Sequence, residues 1–152
     1  LMFIGASPGG TGGGIKTSTF AVVITSLCAT MRSLQSTVIF KRRVPSDIVS
    51  KSFLIVTLAG IFCTVITLYI IRSEDIKYLD AMFEVISAFG TVGLSVGDGG
   101  VRSLSALFTP VGKLLISLSM FVGRLGPLTL AIAIVRAGEE RYKFPEGKVM
   151  IG

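Results

Sequence analysis

The sequence predicts an all-α membrane protein built on a helix–pore loop–helix hairpin, and three features carry that prediction. Composition is the first: of 152 residues, 51% are hydrophobic and only 16% charged, with a mean hydropathy of +0.78, where soluble domains carry roughly a quarter charged residues. The second is a charge-free run from Ser52 to Ile71; about 20 helical residues at 1.5 Å each cover the roughly 30 Å hydrocarbon layer. The third is a longer apolar run, Leu107 to Val135, separated from the first by a segment too short to cross, Leu79 to Ser95.

Composition also removes function classes. There is no His, so imidazole acid–base chemistry, His metal ligation and His-based triads are excluded, and the chain reads as a non-enzyme. Cys28 and Cys63 lie in separate apolar runs with no CxxC spacing, which predicts two small buried hydrophobes. The chain opens on Leu1 without an initiator Met and is expected to be a piece of something longer.

Taken in order, the first element is GASPGGTGGGIK, Gly5 to Lys16, followed by Thr17 and an apolar run that fades after Met31. A phosphate-cradling loop is one reading, but that motif needs Gly directly before Lys. Ile15 stands between Gly14 and Lys16 here, and only LMFI precedes the loop. The other reading is a deliberate break in a membrane helix. Met2-Phe3-Ile4-Gly5 resembles Met120-Phe121-Val122-Gly123, and each is followed shortly by proline and an apolar stretch, Phe20 to Thr25 and Leu128 to Ile134. The two ends of the chain then read as related units, the tail of one repeat and all of the next, with the glycines inserted where the second copy has a simple kink. Unwound backbone at membrane depth is tolerated only beside protein or a water-filled cavity.

Pro45 stops the preceding segment, and Ser46 or Asp47 is placed to cap the first full span, expected over residues 48–72. A pore half-helix follows over 79–89, then the return of the pore loop over 90–95. The last helix is expected over 107–136, kinked at GRLGP, Gly123 to Pro127, where proline removes a backbone donor. Lys41, Arg42 and Arg43 precede the first span, and Arg136, Arg141, Lys143 and Lys148 follow the last. Both clusters are placed in the cytoplasm by the positive-inside rule, which makes the C-terminus cytoplasmic. Lys113 reads as an interfacial snorkelling residue.

SAFGTVGLS (Ser87 to Ser95), FVGRLGPLTL (Phe121 to Leu130) and FIGASPGGTGGGIKTSTFAV (Phe3 to Val22) together resemble the Trk/Ktr/HKT superfamily of potassium transporters. VIFKRR and the ending EGKVMIG look most like the Ktr membrane subunit. The resemblance covers nearly the whole chain and implies helix–pore loop–helix repeats around a pseudo-fourfold pore. By it, residues 1–47 are the second helix of repeat three, with an intramembrane loop at 5–14 and a cytoplasmic segment at 32–47. Residues 48–138 are repeat four, and 139–152 a cytoplasmic tail.

The implied function is the membrane pore-forming subunit of a potassium uptake system. Gly90, Thr91, Val92, Gly93 and Leu94 fall on the selectivity filter, where K+ would meet the backbone carbonyls of Thr91, Val92 and Gly93 in place of water. The filter differs from TVGYG in having Leu94-Ser95 where the second glycine would stand, which leaves open how sharply K+ is separated from Na+. Gly5, Gly9, Gly10, Thr11, Gly12, Gly13 and Gly14 fall on a gating loop whose scarcity of side chains and internal hydrogen bonds would give it several conformations. Lys16 would anchor that loop or snorkel toward the inner surface.

Arg124, near mid-membrane, carries a cost of roughly 2.5–3.5 kcal/mol on insertion scales. It reads either as a salt bridge to Glu84 holding the kink or as an electrostatic barrier in the pore. No cofactor is expected; K+ is the transported ion, with Na+ open as a coupling or regulatory ion. The implied partners are the upstream repeats, a second copy in a homodimer, a cytosolic RCK-type ring of nucleotide-binding regulatory subunits, and the lipid bilayer of the cell membrane; no nucleic acid is expected. Two alternatives stay open: a membrane-associated nucleotide-binding protein using GGTGGGIKT, and a small membrane scaffold.

Overall fold

The computed structural model describes residues 2–7, 9–32, 38–39, 42–97, 102–126 and 129. The expected tail at 139–152, the inner half Leu128 to Ile134 apart from position 129, and the basic residues Lys41, Arg136, Arg141, Lys143 and Lys148 lie outside them.

Four α-helices dominate the described residues: α1 (Thr17–Met31), α2 (Ser46–Glu74), α3 (Tyr78–Phe89) and α4 (Pro110–Leu125). Between α1 and α2 a minimal antiparallel ribbon pairs β1 (Val38–Ile39) with β2 (Arg42–Arg43). One 3-10 turn, Leu104–Leu107, precedes α4.

α2 is the one helix among the described residues that is long and apolar enough to cross a membrane, with a mean hydropathy of 2.5 over its most apolar window. Its 29 residues reach about 43 Å, two residues further at each end than the expected span 48–72. The expected cap is corrected: Pro45 occupies the N-cap, and no side chain bonds the first turn. The Pro45 carbonyl instead accepts from the Ile48 and Val49 amides, while Asp47 places negative charge at the positive end of the helix dipole. At the far end Asp75 adopts a left-handed conformation, φ 50° and ψ 43°, which Asp tolerates better than most residues.

Five hydroxyl groups in α2 and α4 are satisfied within the helix itself. Ser52 donates to the Ile48 carbonyl, Thr64 to Gly60 and Thr67 to Cys63 on α2, and Ser117 to Lys113 and Ser119 to Leu115 on α4. Donation four residues back removes the need for water, which is scarce in a bilayer.

α3 is 12 residues long, about 18 Å and too short to cross. It packs against both α2 and α4, and α1 packs against α2. Its buried face carries Ala81, Val85, Ala88 and Phe89. Phe89 is fully buried at the centre of the core, stacked on Phe3 at 5.9 Å between ring centroids and tilted against Phe62 at 6.2 Å. Cys63 joins this core, whereas Cys28 is exposed on α1, which corrects the expectation of two buried thiols. Large apolar side chains such as Ile61, Val65, Leu68, Leu114 and Phe121 face outward, an exterior suited to lipid or to further apolar elements.

The last helix starts at Pro110 and not at 107. Proline at the first helical position needs no amide partner, and Thr109 caps the turn by accepting from the Gly112 amide at 3.3 Å. Glu74, ending α2, accepts from the Thr109 amide at 3.0 Å and from its hydroxyl. A carboxylate is thereby fixed on the positive end of α4, lashing the two helices together. α4 ends at Leu125, and Gly126 turns the chain with φ 89°; the rest of the kinked helix expected to 136 lies, apart from position 129, outside the described residues.

Candidate functional site

The site is assembled from three segments that are far apart in sequence: the end of α3 with the residues after it, the glycine-rich stretch before α1, and the last turn of α4.

After Phe89 the chain leaves the helix in a tight turn. The Gly90 amide reaches the Ile86 carbonyl at 2.8 Å, Thr91 reaches Ala88 at 3.0 Å and Val92 reaches Ser87 at 2.9 Å. Thr91 takes a positive φ of 52° and Gly93 one of 80°, so the backbone cannot continue as helix. Val92, Gly93 and Leu94 are exposed. The Thr91, Val92 and Gly93 carbonyls accept no hydrogen bond from a described residue, whereas the Leu94 carbonyl accepts from the Ser87 hydroxyl. α3 points its C-terminal, partially negative end at this segment.

The glycine-rich stretch leaves and returns at one place. Ile4 and Ile15 form an isolated parallel bridge; the Gly5 amide donates to the Ile15 carbonyl at 2.7 Å, and the Ile15 amide to Phe3 at 3.2 Å. Residues between them form an excursion from an otherwise continuous path, with Ile15 itself buried in the core. The expectation of a loop without internal hydrogen bonds is corrected. The Gly10 amide donates to Ser7 at 2.8 Å, and the Lys16 ammonium donates to the Gly10 and Gly12 carbonyls at 3.2 and 3.0 Å. Lys16 thus holds the loop folded by replacing side chains that the glycines lack.

This loop touches both other segments. The Gly13 amide donates to the Thr91 hydroxyl at 2.8 Å, and the Gly14 amide to the Gly123 carbonyl at 3.1 Å. Glycine is required for such approach: a Cβ on Gly13 would lie 2.8 Å from the Thr91 methyl and 3.0 Å from the Phe89 carbonyl oxygen, and one on Gly123 would lie 1.9 Å from that same oxygen. The Phe89 carbonyl is therefore wedged between loop and last helix.

Arg124 is exposed in the last turn of α4, where its charge opposes the helix dipole's negative end. With Lys16, Gly14, Gly123 and Gly126 it lines a cleft of about 230 Å³. The salt bridge to Glu84 is corrected. The Glu84 carboxylate, 4% exposed, instead accepts from the Ser95 hydroxyl and from the Val96 amide at 3.2 Å. The apolar spacing around Glu84 signalled a buried face, but nothing local in sequence pairs it with a residue eleven positions on. Glu74 at the α2–α4 lash was likewise missed; its signal was TPVG (Thr109 to Gly112), a helix start with threonine before proline.

A phosphate-cradling geometry finds little support here. The Gly10, Gly13 and Gly14 amides are already donated to protein oxygens, and the Lys16 ammonium to the loop's own carbonyls.

Comparison with known proteins places the chain in context. The family described as TrkH, cation transport protein, matches residues 1–142. The chain is 38% identical to the Ktr system potassium uptake protein B of Bacillus subtilis and 40% identical to that of Vibrio alginolyticus. Each match covers 100% of this chain, and 33% and 32% of the relative respectively. The potassium/sodium uptake protein NtpJ of Enterococcus hirae is 32% identical over 100% of this chain and 34% of its own length. The chain spans about a third of the length of these curated relatives.

Proposed function

The chain belongs to the TrkH family of cation transport proteins, and from that premise we propose that it supplies part of the pore of a potassium uptake system in the cell membrane. The observation that carries this is the row of Thr91, Val92 and Gly93 carbonyls at the end of a non-spanning half-helix, on residues that run from half-buried Thr91 to exposed Val92 and Gly93, without donors among the described residues. A dehydrating cation needs such oxygens in place of water, and the α3 dipole favours positive charge there. Unpaired peptide oxygens at membrane depth are otherwise costly.

Under this reading α2, α3 and α4 form one complete repeat, and α1 with the preceding loop is the second helix of another. Upstream repeats complete the ring of filter segments. The glycine-rich loop acts as the gate, since its amides bond both the filter threonine and the kink of α4. Arg124, beside Lys16 in one cleft, serves as an electrostatic barrier below the filter. Two relatives are named as proteins of a Ktr system and a third as a potassium/sodium uptake protein. Those names support K+ as the transported ion; Na+ as a coupling or regulatory ion, and assembly with a cytosolic regulatory ring and a second copy, belong to the same proposal and rest on the sequence resemblance alone.

The test is K+ uptake into proteoliposomes by the full-length transporter carrying this segment. Uptake that tracks protein content is expected. A correctly assembled transporter that moves no K+ would refute the reading, and tight nucleotide binding by the membrane subunit alone would favour the phosphate-loop alternative.

A further inference from the structure

The segment that follows the carbonyl row is held from behind by a polar network that the transport reading does not use. Glu84 lies five residues before the end of α3 and is nearly fully buried. It accepts from the Ser95 hydroxyl and the Val96 amide. The Ser95 oxygen in turn accepts from the Gly97 amide at 3.2 Å and the Leu104 amide at 2.9 Å. Ser87, one turn from Glu84 on the same half-helix, uses both of its oxygens: its carbonyl takes the Val92 amide at 2.9 Å and its hydroxyl donates to the Leu94 carbonyl.

These bonds have a directional consequence. The Leu94 carbonyl is turned back toward α3, so the row of oxygens without donors among the described residues ends at Gly93. Gly93, at φ 80°, has no Cβ to restrict its backbone and would leave the peptide planes around it loose. Fixing Val92 on one side and Leu94 to Val96 on the other removes that freedom. A buried carboxylate with two donors is rigid, because each lost bond leaves charge unpaired in a poorly solvated place. Oxygens that cannot collapse onto a smaller ion discriminate by size and field better than mobile ones.

We propose that Glu84 is a positioning residue for cation discrimination: with Ser95 and Ser87 it forms a strut behind the Thr91–Gly93 carbonyls that fixes where the row ends and how far it can yield to Na+. The proposal rests on the pore reading above. Its negative charge is not the essential property; the acceptor oxygen is.

The experiment compares wild-type full-length transporter with Glu84→Ala, Ser95→Ala and Glu84→Gln in proteoliposomes, measuring K+ and Na+ uptake against concentration together with thermal survival in detergent. Glu84→Ala and Ser95→Ala should each lower the K+/Na+ preference by about fivefold, equivalent to roughly 1 kcal/mol, mainly through the apparent KM for K+. Glu84→Gln, which keeps an acceptor oxygen for Ser95 and Val96, should hold the preference closer to wild type. A merely structural role predicts lost thermal survival with an unchanged preference, and that result overturns the proposal. So does a Glu84→Gln variant as indiscriminate as Glu84→Ala. Should Glu84→Ala fail to assemble, the Ser95→Ala preference decides alone. A wild-type transporter without K+ uptake would sink the pore reading itself, whereas normal uptake with unaltered preferences in all variants sinks only the strut.

Discussion

Gly123→Ala offers a sharp perturbation of this fold, because the structure fixes its magnitude. The added Cβ would sit 1.9 Å from the Phe89 carbonyl oxygen and 2.8 Å from its carbon. Ordinary carbon–oxygen contact begins near 3.4 Å, so α4 and the end of α3 must part by about 1.5 Å or the helix must distort; overpacking of this kind costs roughly 1–3 kcal/mol. The displacement also strains the 3.1 Å bond from the Gly14 amide to the Gly123 carbonyl, worth about another 1 kcal/mol. A matched control exists in Gly60→Ala: Gly60 also lies inside an apolar helix, yet a Cβ there meets nothing within 4 Å. Since glycine costs about 0.5–1 kcal/mol in a helix interior relative to alanine, the control should be neutral or mildly stabilising. Full-length transporter bearing each substitution would be heated in detergent and the surviving folded fraction measured, alongside K+ uptake. We expect Gly123→Ala to melt well below wild type and lose uptake, and Gly60→Ala to match wild type. Equal survival and uptake for the two variants would refute the close packing of Phe89 against α4.

Three further outcomes are expected. Lys16→Met removes both bonds to the Gly10 and Gly12 carbonyls, so the loop should open more often and resting K+ flux should rise several-fold, read as leak from K+-loaded vesicles. Thr109→Val removes the N-cap of α4 and the hydroxyl bond to Glu74, costing about 1–2 kcal/mol; thermal survival should fall while K+/Na+ preference stays unchanged in flux assays. Arg124→Ala should alter transport rate more than folding, measured as a changed uptake rate at normal membrane expression, because the side chain is exposed and removing it buries nothing unpaired.

How much of this was legible in the residues varies by element. The charge-free run marked α2, since twenty uncharged, mostly apolar positions in a row have few other uses. Proline and glycine marked the break at Gly126, because their backbone limits are intrinsic. Helix starts were less legible. Pro45 took the cap position in place of Ser46 or Asp47, and the last helix began only where Pro110 fixed its backbone. Cys28 was expected inside; apolar neighbours alone do not tell which side of α1 meets the core. The glycine-rich stretch announced itself as irregular, but the bonds that give it a shape come from Lys16, Thr91 and Gly123.

Sequence alone therefore determined what each segment could be: its solvent from hydropathy, its length from runs between charges, its interruptions from residues lacking an amide hydrogen or a Cβ. These are local properties, set by a residue and its near neighbours. Tertiary structure decided which oxygens remained free and which were occupied. The Leu94 carbonyl turned from the row, Glu84 found Ser95 instead of Arg124, and the Phe89 carbonyl was enclosed by two glycines lying 110 positions apart. Hydrogen-bond partners are chosen by distance in space, and packing three segments around the end of α3 creates distances that no spacing along the chain encodes.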